Sequence, residues 1–324
     1  MPTTGLILGK FMPPHAGHLR LIDEARRRVD ELVILVCSLE QEPIPGALRA
    51  EWMREIAPDA RVIHVTDENP SRPEEHPEFW ALWTATIRRS APGPIDLVFA
   101  GEGYGEELAR RLDARSIVVE REGSGLPSAT EIRERPLTHW DQIAIPARPH
   151  FAFRVVLTGS ECVGKTTLAH ELARELDTVC GDEFGREYVD ALGRFPDASD
   201  VEPIARGQMA NQDRALRAAN RIAIFDTDLV STCVYAEHYY GSCPDWVTEE
   251  SIRRRADLYL LLHIDVPWVP DPPNRDRGHM RAAMQQLFRD ALSARGIEWV
   301  DVRGSWEERK RAALEAIRER SAEY

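Results

Sequence analysis

The chain has 324 residues, 43% hydrophobic and 29% charged, too many for one ordinary core and enough for two globular domains of about 150 residues each. A net charge of −13 argues against a nucleic-acid partner, which needs a broad basic face, but leaves room for local phosphate sites. No apolar run is long enough for a membrane span, no signal peptide is legible, and five cysteines without close-spaced zinc or redox pairs suit a reducing, cytoplasmic compartment.

Residues 5–9 (GLILG) predict a short buried strand. Pro13 and Pro14 end it, and the spacing of Leu19, Leu21, Ile22, Ala25 and Val29 predicts a helix over 15–28. His15 and His18 open that helix on one face, with Gly17 between them leaving the backbone accessible to a ligand. A metal pair would need a third ligand, and none stands nearby before Asp23. A structural pair fits poorly beside a glycine and two prolines, whereas a phosphate clamp suits a helix N-terminus, where imidazole donors add to the dipole. GKFMPPHAGH resembles the GxFxPxHxGH signature of the nucleotidylyltransferase superfamily. That resemblance implies that His15 and His18 hold nucleotide phosphates as pyrophosphate leaves. Lys10 would act beside them, with Gly9 and Phe11 at the ATP site.

Residues 32–37 predict a second strand, and a Pro/Gly-rich loop over 42–49 leads into a helix. Arg49 there is either an anion contact or a solvated helical arginine. Residues 62–65 predict a third strand, followed by a loop rich in proline and acids. The helix over 78–89 carries Trp80 and Trp83. Helical aromatics are usually core; the resemblance implies that one stacks on a flat substrate, with Trp83 preferred over Trp80. Strands follow at 95–100 and 117–119, separated by the turn and helix of GEGYGEELARRL. In SATEIR (128–133), Ser128 and Glu131 have capping-box spacing. The same superfamily carries an [ST]-x-x-[IV]-R element whose hydroxyl and arginine bind the triphosphate. This implies Ser128 and Thr130 as ATP contacts and Arg133 as a catalytic group. The alternation over 5–145 predicts a Rossmann-like parallel sheet covered on both faces, in a domain of residues 1–148.

The second domain, 149–324, opens with a β-branched run at 155–157 that breaks at Gly159. Gly159, Gly164, Lys165 and Thr166 fit the phosphate-loop spacing G-x-x-x-x-G-K-[ST] between a strand and a helix over 166–176. Its glycines let backbone N–H groups converge on phosphate oxygens. Lys165 would reach the β- and γ-phosphates of ATP, Thr166 would hold Mg²⁺, and Thr167 adjoins the nucleotide. Asp182, Glu183 and Arg186 follow a short run ending at Cys180. They are either a solvated surface or an acceptor site, with Glu183 ahead of Asp182 as base and Arg186 orienting the acceptor. A helix is expected over 201–221 and a strand over 222–228, ending in Asp226 and Asp228. Asp226 would reach Mg²⁺ and Asp228 the substrate, or either could cap the next helix. After a strand over 258–264 come Trp268, Arg275, Arg277 and Arg281. These arginines suit a lid in which Arg275 and Arg277 touch ATP, or else an exposed basic loop. A strand at 299–302 and a helix over 305–320 close the chain.

Over nearly its full length the chain resembles the NadR family, a nicotinamide-nucleotide adenylyltransferase joined to a ribosylnicotinamide kinase. The matching stretches are GKFMPPHAGH, GEGYGEELARRL, SATEIR, GSECVGKTTL, EFGREYV, IFDTDL and HIDVPWVPD. The resemblance implies that nicotinamide riboside is phosphorylated with ATP and Mg²⁺. The mononucleotide is then adenylylated to NAD with loss of pyrophosphate. It also implies that Trp268 or its neighbours hold the riboside. Three features depart from the family. No residues stand for the N-terminal helix-turn-helix domain of some members. Pro272, Pro273 and Asn274 precede Arg275, and Glu120 with Arg121 stands where an aspartate and arginine are usual. Two other readings are a nucleoside kinase whose first half senses a nucleotide without turning it over, and a cytidylyltransferase or kinase of different base specificity. A homo-oligomer is compatible with the sequence.

Overall fold

A computed structural model describes residues 2–101, 103–119, 125–268 and 278–324. Glu120, Arg121, Arg275 and Arg277 lie outside the described residues. The chain divides into two units, Met1–Arg148 and Pro149–Tyr324.

The first unit alternates β1 (Thr4–Gly9), α1 (Ala16–Arg26), β2 (Glu31–Cys37), α2 (Gly46–Ile56), β3 (Arg61–Val65), α3 (Phe79–Ser90), β4 (Leu97–Ala100), α4 (Tyr104–Leu112), β5 (Arg115–Val118) and α5 (Ala129–Glu134). Its strands pair in parallel in the order β3-β2-β1-β4-β5. Successive strand residues face opposite sides of a sheet, so the apolar runs feed two cores. Ile7, Ile34 and Val36 pack with Ile22 of α1 and Met53 of α2, while Leu6, Val33 and Leu35 pack with Ile87 of α3 and Leu108 of α4. Strand order reverses between β1 and β4, leaving a crevice at their carboxyl ends, where ligands of such sheets bind.

A single turn, α6 (Arg148–Phe151), precedes the second sheet. The second unit continues with β6 (Phe153–Thr158), α7 (Lys165–Glu175), β7 (Val179–Gly181), α8 (Phe184–Leu192), α9 (Val201–Ala218), β8 (Ile222–Asp226), α10 (Leu229–Tyr240), α11 (Asp245–Arg253), β9 (Leu258–Leu262), α12 (Arg281–Ala294), β10 (Trp299–Val302) and α13 (Trp306–Ala322). All five strands are parallel, in the order β10-β9-β6-β8-β7. The phosphate loop therefore leaves a central strand. The strand expected over 222–228 stops at Asp226, because Thr227 takes a left-handed φ of 68° and Asp228 becomes the cap of α10. The sequence reading places no helix at α8, α11 or α12; α11 buries Val247 and Ser251 and α12 buries Met284, Gln285, Phe288 and Leu292, whereas no side chain of α8 is fully buried.

Candidate functional site

In the first unit, β1 delivers the chain into a turn at Phe11, held at φ 47°, whose ring centroid lies 4.9 Å from that of His18. His15 caps α1. Its Nδ1 accepts the Gly17 N–H at 3.1 Å, and the Nδ1 of His18 accepts the His15 N–H at 3.2 Å. With both Nδ1 atoms accepting, a neutral ring carries its proton on Nε2. The rings stand 4.0 Å apart.

SATEIR meets this turn. Arg133 donates to the carbonyl of Met12, to that of Ala129 at 3.1 Å and to Thr130 Oγ1 at 3.1 Å, joining motifs 121 positions apart. Ser128 and Glu131 form the capping box. Ser128 Oγ accepts the Glu131 N–H at 3.2 Å, and Glu131 Oε2 accepts the Ser128 N–H at 2.6 Å.

A cavity of about 650 Å³ opens at the strand ends, with Gly9, Lys10 and His18 on one side and Gly101 and Tyr104 on the other. Trp80 and Trp83 both line it, and Trp83 Nε1 donates to Pro70 O at 2.9 Å. Asn69, Ser71 and Arg72 also line it, so the proline- and acid-rich connection after β3 is a wall of the site; two prolines bracketing polar residues were its sequence signal. Lys10 reaches the cavity while bonded to Glu42 Oε1 at 2.8 Å and Ser71 Oγ at 3.1 Å.

Arg49 is corrected on both counts. It is neither solvated nor open to a bound anion, being fully buried, with Nη1 donating to Lys10 O at 2.7 Å and Nη2 to the Glu42 carboxylate at 2.5 Å. A buried guanidinium needs a carboxylate and several acceptors; Glu42 and the carbonyls of Lys10 and Cys37 serve Nη1 and Nη2, while Nε has no partner. Burial pushes the Glu42 carboxyl up, but Lys10, the Leu39 N–H and Arg49 together hold it below its ordinary value of 4.5.

In the second unit the phosphate loop is sterically committed to glycine. Gly159 has φ 129°, and a Cβ there would stand 2.7 Å from Leu262 O. Gly164 has φ 87°, and a Cβ there would stand 2.7 Å from the Trp306 ring. Lys165 Nζ donates to the carbonyls of Gly159 at 3.0 Å and Ser160 at 2.9 Å. Thr166 Oγ1 donates to Asp226 Oδ2 at 2.6 Å, with Thr167 exposed beside it. Asp226 is buried and its Oδ1 has no hydrogen-bond partner, so a hydroxyl and a carboxylate with spare acceptor capacity fit a hydrated Mg²⁺.

Three side chains that the sequence reading gave no such role clamp this loop. Gln285 of α12 accepts the Ser160 N–H at 3.1 Å and donates to Leu262 O at 3.0 Å. Arg309 of α13 is fully buried and donates to the carbonyls of Val163 and His263, both at 2.8 Å, besides pairing with Asp265. Arg281 donates to Cys162 O at 3.3 Å and Val266 O at 3.0 Å, with its guanidinium 5.6 Å from the Trp268 ring centroid. Gln208 similarly ties α9 to the start of α8 by accepting the Phe184 N–H at 2.8 Å.

Asp228 takes the helix-capping alternative, as the N-cap of α10. Its Oδ1 accepts the Val230 N–H at 3.0 Å, its Oδ2 accepts the Tyr259 hydroxyl at 2.6 Å, and it is buried. Burial raises its pKa against the pull of those bonds. Asp182 and Glu183 stand beyond the carboxyl end of β7, at the sheet edge that carries the loop, with Glu183 at the start of α8 and Arg186 in its first turn, 4.0 Å from Asp190. Burial pushes the Cys180 thiol up to about 12, with Asp226 and Asp182 adding to it.

Cys233 and Cys243, ten positions apart and both free thiols, bring their Sγ atoms to 3.4 Å. The hydrogen bond from Cys243 lowers the Cys233 thiol to about 7 and raises that of Cys243. Among the described residues, no helix is long and apolar enough to cross a membrane.

Residues 6–135 match the cytidylyltransferase-like family and residues 154–309 the AAA domain family. Together with the two sites, this defines a nucleotidylyltransferase-type unit followed by a P-loop unit. The trifunctional NAD biosynthesis/regulator protein NadR of Escherichia coli (strain K12) is 30% identical across 99% of this chain and 84% of its own length. The nicotinamide-nucleotide adenylyltransferase of Thermococcus onnurineus is 28% identical, covering 42% of this chain and 73% of its own. A crystal structure of NadR protein in complex with NR superposes with a TM-score of 0.80 at 23% identity, covering 98% of this chain and 96% of that one. The chain belongs to the NadR family.

Proposed function

We propose that this chain makes NAD from nicotinamide riboside in two ATP-dependent steps, in the cytoplasm. The observation that carries the reading is that a chain matching NadR from end to end has both phosphate-handling elements assembled: His15 with His18, and Thr166 with Asp226.

In the second unit the γ-phosphoryl of ATP passes to the 5′-hydroxyl of nicotinamide riboside. Glu183 or Asp182 accepts the hydroxyl proton, Arg186 orients the acceptor, and Trp268 packs against the riboside. Lys165 exchanges its loop carbonyls for β- and γ-phosphate oxygens. Thr166 and Asp226 would hold Mg²⁺, which offsets phosphate charge when bound. In the first unit the 5′-phosphate of the mononucleotide attacks the α-phosphorus of a second ATP, forming one P–O bond and releasing pyrophosphate. No covalent enzyme intermediate is required. The ring N–H groups of His15 and His18, with Lys10 and Arg133, direct hydrogen bonds and positive charge at the negative charge that develops on the departing pyrophosphate. Trp83 and Trp80 offer faces for the flat bases.

The experiment is a substrate panel of nicotinamide riboside, uridine, cytidine and their monophosphates, each with ATP and CTP, products identified by mass. NAD from mononucleotide and ATP, and mononucleotide from the riboside, are expected. Phosphorylation without NAD formation would instead make the first unit a nucleotide sensor.

A further inference from the structure

We propose that His170, Cys180 and Asp182 form a site for a soft divalent cation of the zinc class, and that its occupation shuts off phosphoryl transfer in the second unit. The ligand atoms of these three residues lie within 4.8 Å of one another, and His170 Nε2 is 3.0 Å from Asp182 Oδ1. A tetrahedral zinc with ordinary N, S and O bond lengths separates its ligands by about 3.3–3.8 Å. Closing that difference needs only rotation of His170 and Asp182, whose side chains are 51% and 64% exposed.

The backbone explains the convergence. Cys180 and Asp182 are two apart across the end of β7, so they face the same side. His170 lies four residues beyond Thr166 on α7, hence one turn further along the same helix face. No close sequence spacing announces the trio; the packing of α7 against the edge strand assembles it. Thiolate and imidazole select zinc-class metals over magnesium, whose hard oxygen ligands are Thr166 and Asp226 one turn away. Three protein ligands leave a fourth position for water.

The inhibitory half of the proposal rests on the kinase reading above, in which Asp182 is a candidate base: a carboxylate bound to a cation cannot take a proton. The test uses the full chain under reducing conditions. Zinc competition against a chromophoric chelator should give about one tight site per chain, and cobalt(II) should show a near-ultraviolet thiolate-to-metal charge-transfer band. His170→Ala and Cys180→Ser should each weaken zinc binding by about 10- to 100-fold or more, since even supporting residues around a metal contribute that much. Zinc should suppress riboside phosphorylation in the unaltered chain but not in His170→Ala, and should leave adenylyl transfer untouched. Equal zinc affinity in all three chains, a missing cobalt–thiolate band, or zinc binding without loss of phosphorylation would each overturn the proposal. A chain that never phosphorylates the riboside but shows the band and the ligand-dependent affinity would refute the kinase reading while upholding the metal site.

Discussion

His15 and His18 fix each other: the Nδ1 of His15 takes the N–H of Gly17, and the Nδ1 of His18 takes the N–H of His15. Helix capping thereby decides which ring nitrogen carries the proton. The two residues proposed to bind phosphate are oriented by the same bonds that begin α1, and capping and chemistry can be separated by choice of substitution.

His15→Ala loses both roles. Its lost cap should cost about 1 kcal/mol of stability, whereas His15→Asn keeps a capping oxygen and most of that stability. Both variants, and His18→Ala, should slow NAD formation from mononucleotide and ATP by about 10²–10³-fold, as expected for removal of one donor to a developing anion. Paired thermal unfolding and NAD assays check this; an active His15→Asn would deny the Nε2 donor its role.

Lys165→Ala should abolish riboside phosphorylation and leave adenylyl transfer near its original rate, measured as product formed by each half-reaction. Equal loss of both would contradict two independent ATP sites.

Gln285→Leu removes the partner of the buried Ser160 N–H, and an unsatisfied buried donor costs about 1–3 kcal/mol. Loosening of the phosphate loop should raise KM for ATP in the phosphorylation assay by about tenfold, equivalent to about 1.4 kcal/mol. Adenylyl transfer should not change. An unaltered KM would show that Arg309 and Arg281 hold the loop without it.

Glu42→Gln strips the buried Arg49 of its carboxylate, a change that costs about 3–5 kcal/mol when one partner of a buried pair is removed. Because the folded carboxyl titrates below its ordinary 4.5, its contribution is fully present above that value and is lost as pH falls through the depressed one. Calorimetry of the whole chain should therefore find the gap between the variant and the original wide at neutral pH and closing below pH 4.5. A gap independent of pH would place the cost elsewhere.

Most of this architecture was legible before folding, because the signals are local. A strand that breaks into G-x-x-x-x-G-K-T, two histidines three apart behind two prolines, and a serine followed by glutamate three later each describe one turn of backbone. Their geometry is set by residues within a few positions, so the loop around Gly159, the pair His15 and His18, and the cap at Ser128 could be placed from the chain alone. Alternating apolar runs over 5–145 then implied a parallel sheet in the first domain, since strands buried on both faces need helices on both.

Tertiary structure decided what spacing cannot encode. Arg49 and Arg309 carry the same side chain as any solvated helical arginine, and only the fold reveals that both are buried against backbone carbonyls. Asp226 and Asp228 are indistinguishable as two acids at a strand tip. One turns to Thr166 with an oxygen to spare, while the other is used up by a helix N-terminus and Tyr259. Arg133 with Met12, Gln285 with Ser160, Cys233 with Cys243 and His170 with Asp182 are contacts between elements of one unit that lie apart in the sequence. Each depends on where two elements pack, and that depends on the sum of buried apolar surface rather than on the residues that meet.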